Sequence, residues 1–401
     1  MKKINEYNLL LYIYIFLNTF FFFYYIISGY IGGDLRVNSD HDSGILLVNY
    51  YDFILSYILI IFSFFFVSSS YLFINKFIKP SPIKSTKHIF WFFNLFFWIS
   101  INIIYPPKLI DSFILKYDTL SWLYITLTQP KYLILIYIFY YSKCIHNSLI
   151  FKLNVFIYFT FMLYSGYMGY LIYLCGLLLF EYWNKLNFKK IFIYSFSLML
   201  LSPILRIIKY YFLIINSSDS AIELDDMFFM RSSTGFLDLY FNMLLTVFER
   251  FQHISNVYFS LYSSEILKNK IDSGYTGMFY TDGWYLYFII NSLTDSLANF
   301  HEPIQATLAS FIYPNVSWKS QIGLSGWFFE PVYYFFILLY ALLLIIITSS
   351  FNYFLRSKSI HLLSYYLLII LLVHGWFNDY LIYIQALFIF SIFIFIKRVR
   401  I

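Results

Sequence analysis

The chain has 401 residues, of which 61% are hydrophobic, 25% aromatic and only 12% charged. A soluble domain usually carries roughly 25% charged residues, so a water-exposed globular fold is excluded. The formal charge of +6 invites a nucleic-acid partner, but its placement along the chain, described next, argues against one.

Apolar runs of about 20 residues recur, each long enough to cross a hydrocarbon layer. An outer-membrane barrel would instead show alternating segments of about 10 residues, and these are absent. The sequence therefore predicts an all-α, polytopic transmembrane bundle of about ten spans. They fall near residues 8–28, 51–74, 89–105, 120–142, 150–165, 167–183, 191–205, 331–350, 361–377 and 380–396. No cleavage pattern follows the first run, Asn8 to Ser28, which reads as an uncleaved span. Gln129, Pro130 and Lys131 interrupt the fourth, which is expected to be broken or partly re-entrant. Ser165, Gly166, Tyr167, Met168 and Gly169 make a tight turn between the fifth and sixth.

Basic residues fix the expected orientation. Lys2, Lys3, Lys76, Lys79, Lys84, Lys87, Lys143, Lys152, Lys185, Lys189, Lys190, Arg356, Lys358, Lys397, Arg398 and Arg400 all fall on one side, with only Glu6 and Glu181 as acids. Short, basic connections mark the cytoplasmic side, so both termini are expected there. His88, His146 and His361 fall there too and read as solvated loop residues. Cys144 and Cys175 would lie in an inner loop and in a span. They suggest neither a disulfide nor a metal site. Three regions result: residues 1–205 with seven spans, 206–330 as a large outer segment, and 331–401 with three spans.

The outer segment is long for an unstructured connection and too rich in apolar residues for disorder. It reads as lid-like helices on, or dipping into, the outer membrane face. Within it, "TVFERFQHISNVYF" places Glu249, Arg250, Gln252, His253 and Asn256 within an arc of about 160° at helical spacing. That predicts an amphipathic helix with its polar side toward water or a polar substrate.

Arg231 and Arg250 are the cations best suited to a phosphorylated lipid, since a guanidinium presents a rigid fork of donors. The plainer alternative is pairing with ordinary lipid phosphate or with Asp226 or Glu249. Arg206 and Lys209 follow a span and equally read as anchors. Glu249 and His253, spaced i and i+4, can face each other and either can serve as general base, or simply pair together. Asp34, Arg36, Asp40, His41 and Asp42 crowd the first outer loop without a defined metal spacing. His301 and Glu302 can cap a helix or line a site. Trp327 and Glu330 stand at the mouth of the eighth span, and His374 and Asp379 near the outer end of the ninth. No phosphate-cradling glycine loop, nucleophile elbow or zinc motif is present. No cytoplasmic segment is large enough for a nucleotide-binding domain. Lys131 is the main ionisable residue that could lie within a span.

Short basic inner loops, about ten spans and one large late outer loop resemble the Wzy-type polymerases of bacterial O-antigen and capsule repeat units. The local resemblance lies in "MRSSTGFLDLYF", "FERFQHISNVYF", "FIYPNVSWKSQIGLSGWFFEPVYYFF" and "HGWFNDYLIYIQALFIF". A weaker one, "LRVNSDHDSGILLVNYYDFI", is similar to the first outer loop of exopolysaccharide polymerases. The resemblance implies a metal-independent, cofactor-free glycosyltransferase of the type C kind in the bacterial inner membrane. It would join polyprenyl-pyrophosphate-linked oligosaccharides on the periplasmic face. Loop arginines grip the pyrophosphate in that family, a role that fits Arg231, Arg250 and then Arg206. No arginine-plus-distant-glycine repeat in two loops accompanies them here. Glu249 or His253 would take the acceptor proton. Asp226, His301, Glu302, Trp327 and Glu330 would contact sugar. The expected partners are that lipid-linked oligosaccharide, membrane lipid and, as an open possibility, a chain-length regulator protein. The alternatives are a flippase for the same lipid, which should show twelve spans and inverted repeats, and an O-antigen ligase.

Overall fold

The computed structural model describes residues 6–33, 45–76, 92–96, 98–100, 127–145, 149–164, 251–279, 304–312, 322–375 and 377–399, with scattered positions between 176 and 249. It is mostly helical. Among the described residues, four helical stretches are long and apolar enough to cross a membrane: Tyr7–Ser28, Tyr50–Asn75, Pro331–Leu355 and Asp379–Ile396. They coincide with the first, second, eighth and tenth expected spans. The chain divides into two compact units. One contains Met1–Lys79, Glu249–Leu355 and Ser364–Gln385, and the other Pro80–Phe248, Arg356–Leu363 and Ala386–Ile401.

In the first unit, α1 (Glu6–Ser28) and α2 (Tyr50–Asn75) pack side by side. They are joined by a two-residue antiparallel pairing of β1 (Tyr30–Ile31) with β2 (Ile45–Leu46). Helix α1 shows how the sequence sorts its faces. Leu11, Tyr14, Asn18, Phe21 and Tyr25, at spacings of three and four, are buried, whereas Tyr12, Phe16, Phe20, Phe23 and Ile27 are exposed. Both stripes are apolar, as a helix between protein and lipid requires. Asn49 caps α2, its side-chain oxygen accepting from the backbone of Tyr51 (3.1 Å) and Asp52 (3.3 Å), which satisfies two of the orphan donors of the first turn.

The second unit holds α3 (Pro130–Ile145) and α4 (Leu149–Tyr164). The expected interruption of the fourth span is present. Gln129 is non-helical with φ +45°, and α3 starts at Pro130, where a proline lacking an N–H loses nothing. Residues 132–141 of α3 are all buried. Asn154 of α4 donates to the Tyr137 hydroxyl (3.2 Å) and accepts from Asn94 (2.8 Å).

The 251–279 stretch returns to the first unit as α5 (Ile254–Tyr262) and α6 (Ser264–Asp272). Then come α7 (Ile304–Ile312), α8 (Tyr334–Leu355) and α9 (Lys358–Leu367). A π-helical turn, Leu368–His374, follows, and α10 (Phe377–Val399) completes the chain. Pro331 opens a 3₁₀ turn that leads into α8. His361, expected as a solvated loop residue, is instead on α9 and buried. The loop prediction fails because α9 begins at Lys358, earlier than the apolar run suggests.

At the end marked by Tyr7 and Asn75, hydroxyl and amide groups hold the first unit together. Ser68 and Tyr365 share a hydrogen bond of 2.8 Å, and Asn75 donates to Ser349 at 2.7 Å. Asn352 donates to the Tyr71 hydroxyl at 3.0 Å and accepts from Ser364 at 3.0 Å. Ser364 and Thr348 also bond the hydroxyls of Tyr383 and Tyr380. In an apolar solvent such bonds supply specificity that hydrophobic contact alone cannot.

Candidate functional site

The single amphipathic helix expected over Thr246–Phe259 is not what forms. Phe248 and Glu249 are helical, Phe251–His253 are not, and α5 begins at Ile254. Glu249, Gln252, His253 and Asn256 are buried rather than facing water. The i,i+4 pairing of Glu249 with His253 therefore loses its helical basis. The physical reason lies in tertiary partners. The His253 backbone N–H donates to the Asn18 side chain (2.8 Å), and Asn18 in turn donates to the Tyr14 carbonyl (2.9 Å). Gln252 folds onto Ser255, donating to its hydroxyl (2.7 Å) and accepting from its backbone N–H (3.1 Å). With these bonds made, a polar turn can be buried at modest cost.

Depth follows from helix geometry. At 1.5 Å per residue Asn18 lies about 15 Å below the Ser28 end of α1, close to its midpoint. From His253 at that level, α5 runs back to the top of α2. There the Asn49 N–H donates to the Tyr258 hydroxyl (3.3 Å), and the Tyr258 ring meets Phe53 edge-on at 5.8 Å.

A second broken stretch descends to the same level. Gly323 donates its N–H to the Gly375 carbonyl (3.0 Å), and Leu324 to that of Leu372 (2.9 Å). These bonds tie residues 322–327 to the end of the π-helical turn. Gly323 has φ +51°, and a Cβ there would stand 2.1 Å from the Val373 oxygen and 3.0 Å from His253 Nε2. The strap then climbs beside α5, where the Ser260 hydroxyl donates to the Gly326 carbonyl. It ends at Glu330, which pairs with Lys268 of α6 at 3.4 Å.

His374 completes the floor. Its ring centroid lies 5.1 Å from that of His253 and 4.8 Å from that of Tyr14. His253 is 1% exposed. The Ile322 backbone also lies against its ring. Ser325 Oγ and Trp327 Nε1 are buried without a hydrogen-bond partner of good geometry among the described residues.

Of the residues expected from sequence, Glu249, His253, Trp327 and Glu330 are described. Trp327, expected at the mouth of a span, is fully buried against Phe279 (ring centroids 5.8 Å). Glu330 is partly exposed. Arg206, Asp226, Arg231, Arg250, His301 and Glu302 lie outside the described residues, as do Asp34–Asp42. Sequence reasoning missed Asn18, Gly323 and Ser325. Asn18 is the one amide between Leu9 and Ile27, a signal that could have been used. Among the described residues no group of three or more His, Cys, Asp or Glu side chains could hold a metal ion.

The fold and site define a mostly helical membrane protein, with four helices able to span among the described residues and a buried polar cluster about half-way along α1. Comparison with protein families, with curated proteins and with solved structures finds no match to this chain.

Proposed function

We propose that the protein is a bacterial inner-membrane glycosyltransferase. It polymerises polyprenyl-pyrophosphate-linked oligosaccharide repeat units, as its resemblance to the Wzy-type polymerases implies. One observation carries most weight: Gln252 and His253 do not lie on the surface but are buried, and His253 meets α1 at Asn18, about half-way along that helix. Ionisable and irregular backbone groups at membrane depth are costly and mark functional sites. A site at that depth suits a substrate whose lipid tail stays in the bilayer.

In the reaction, a hydroxyl oxygen of one repeat unit attacks the anomeric carbon of the chain held on the carrier lipid. The bond from that carbon to the pyrophosphate oxygen breaks, and the polyprenyl pyrophosphate leaves. Arg231 and Arg250, with Arg206, are assigned to neutralise it, the charge-stabilising role that dominates such transfers. The proton passes to Glu249 or His253.

Broken helices at mid-depth also occur in carriers, so the flippase is the second reading, favoured by the 322–327 strap and the π-helical turn. Deleting the gene in the native host separates them. A lost polymerase leaves single repeat units on the cell surface, and a lost flippase leaves none. An unchanged polysaccharide length distribution in the deletion strain would overturn both.

A further inference from the structure

We infer that residues 322–327 and the π-helical turn Leu368–His374 are the two halves of one latch, which covers the His253 ring and opens as a unit. The latch governs how the buried cluster is uncovered, whichever substrate the protein takes. Each half is a helical end that cannot satisfy its own backbone. Leu324 precedes the 3₁₀ turn Ser325–Trp327. Inside that turn the N–H groups of Gly326, Trp327 and Phe328 donate back to the carbonyls of Ile322, Leu324 and Ser325, whereas those of Gly323 and Leu324 reach outside it. The first donors and the last acceptors of a helical stretch have no partner within it. Here the two shortfalls meet. The Gly323 N–H donates to the carbonyl of Gly375, just past the π-helical turn (3.0 Å), and the Leu324 N–H to that of Leu372, in its last turn (2.9 Å).

Depth makes these bonds cooperative. The strap meets His253 at the level of Asn18, where lipid offers a freed N–H or C=O no replacement partner. Parting the strap from the turn strands donors on one side and acceptors on the other at once, so the bonds are kept or lost together. The glycines fit a backbone-to-backbone seat. Gly323, at φ +51°, runs so close to Val373 that a Cβ would overlap its carbonyl, and the same Cβ would stand 3.0 Å from His253 Nε2. Gly375 closes the turn over the Ile370 oxygen, 2.7 Å from where its own Cβ would be. The strap therefore lies directly on the His253 ring, with the Ile322 backbone against it as well. His374, the last residue of the turn, places its ring 5.1 Å from that of His253. Lifting the strap uncovers one imidazole, and loosening the turn frees the other. The π-helical form of the turn is itself uncommon and occurs mostly at functional sites.

The test follows hydrogen exchange by mass spectrometry on the full chain in lipid nanodiscs, at a pH high enough for opening to limit the rate. Peptides covering 322–327 and 368–375 should exchange with one rate constant, and peptides from α2 far more slowly. Modification of His253 by diethyl pyrocarbonate should run no faster than that opening. Gly323→Ala, or Gly375→Ala where the first does not fold, should speed all three events by one common factor. That factor should be at least about threefold, as the loss of a hydrogen bond implies. Two distinct rate constants would overturn the latch, making strap and turn independent. A single rate shared with α2 would overturn it too, since that marks global unfolding. Faster exchange in the variants without faster modification of His253 would overturn the strap as its cover.

Discussion

Replacing Gly323 with alanine tests whether the strap is seated as described. The residue has φ +51°, and the added Cβ would stand 2.1 Å from the Val373 oxygen and 2.8 Å from its carbonyl carbon. Both are backbone atoms at the end of the π-helical turn and cannot swing aside. The left-handed backbone alone costs a side-chain-bearing residue about 1–2 kcal/mol. Forcing a methyl group into packed surroundings adds about 1–3 kcal/mol. The two tethering hydrogen bonds would lengthen or break, at about 0.5–1.5 kcal/mol each. The expected loss is roughly 3–8 kcal/mol, or at least about 6 °C in the unfolding midpoint for a unit of this size. Gly29 supplies the control: it has φ +73°, but nothing lies within 4 Å of its would-be Cβ. Gly29→Ala should therefore carry only the backbone strain. Thermal unfolding of both variants in the same detergent decides the matter. A midpoint drop for Gly323→Ala no larger than that for Gly29→Ala would refute the packing of the strap against Val373.

Two further outcomes are expected. Asn352→Leu removes the amide that joins Tyr71 to Ser364 and should destabilise by about 1–3 kcal/mol. Combined with Ser364→Ala it should cost less than the sum of the two changes, and strict additivity would argue against a shared network. Glu330 pairs with a Lys268 that is 48% exposed, so Glu330→Gln should shift stability by no more than about 1 kcal/mol. A shortened polysaccharide from such a stable variant would support its assigned contact with sugar, and an unchanged length would remove it.

What the sequence revealed and what it hid follow from the solvent. Length and hydropathy marked α1, α2, α8 and α10 well, because crossing an apolar layer demands long uncharged runs. Proline chemistry marked the start of α3 at Pro130. Which face of α1 is inward was hidden, since Phe16 and Phe21 are equally apolar while one is exposed and the other buried. In water, the polar side of "FERFQHIS" would be turned outward. In this chain Gln252 and His253 turn inward, because Asn18 and Ser255 offer hydrogen bonds that lipid cannot. The same ambiguity placed Trp327 at a mouth: amphipathic aromatics are common at membrane interfaces, and only Phe279 and the strap show that this one is enclosed.

The two halves of the first unit use polar groups in opposite ways, and stability and activity should separate accordingly. Near Tyr7 and Asn75, serine, asparagine and tyrosine side chains bond each other. Removing one partner there strands another in a medium of low dielectric constant, so each loss is felt in stability. Around Trp327 and Ser325, buried polar atoms lack partners of good geometry. Removing them relieves a desolvation cost instead of creating one. Ser325→Ala should thus melt no lower than wild type, whereas Trp327→Phe also empties part of a fully buried site and should melt lower by the cost of the cavity.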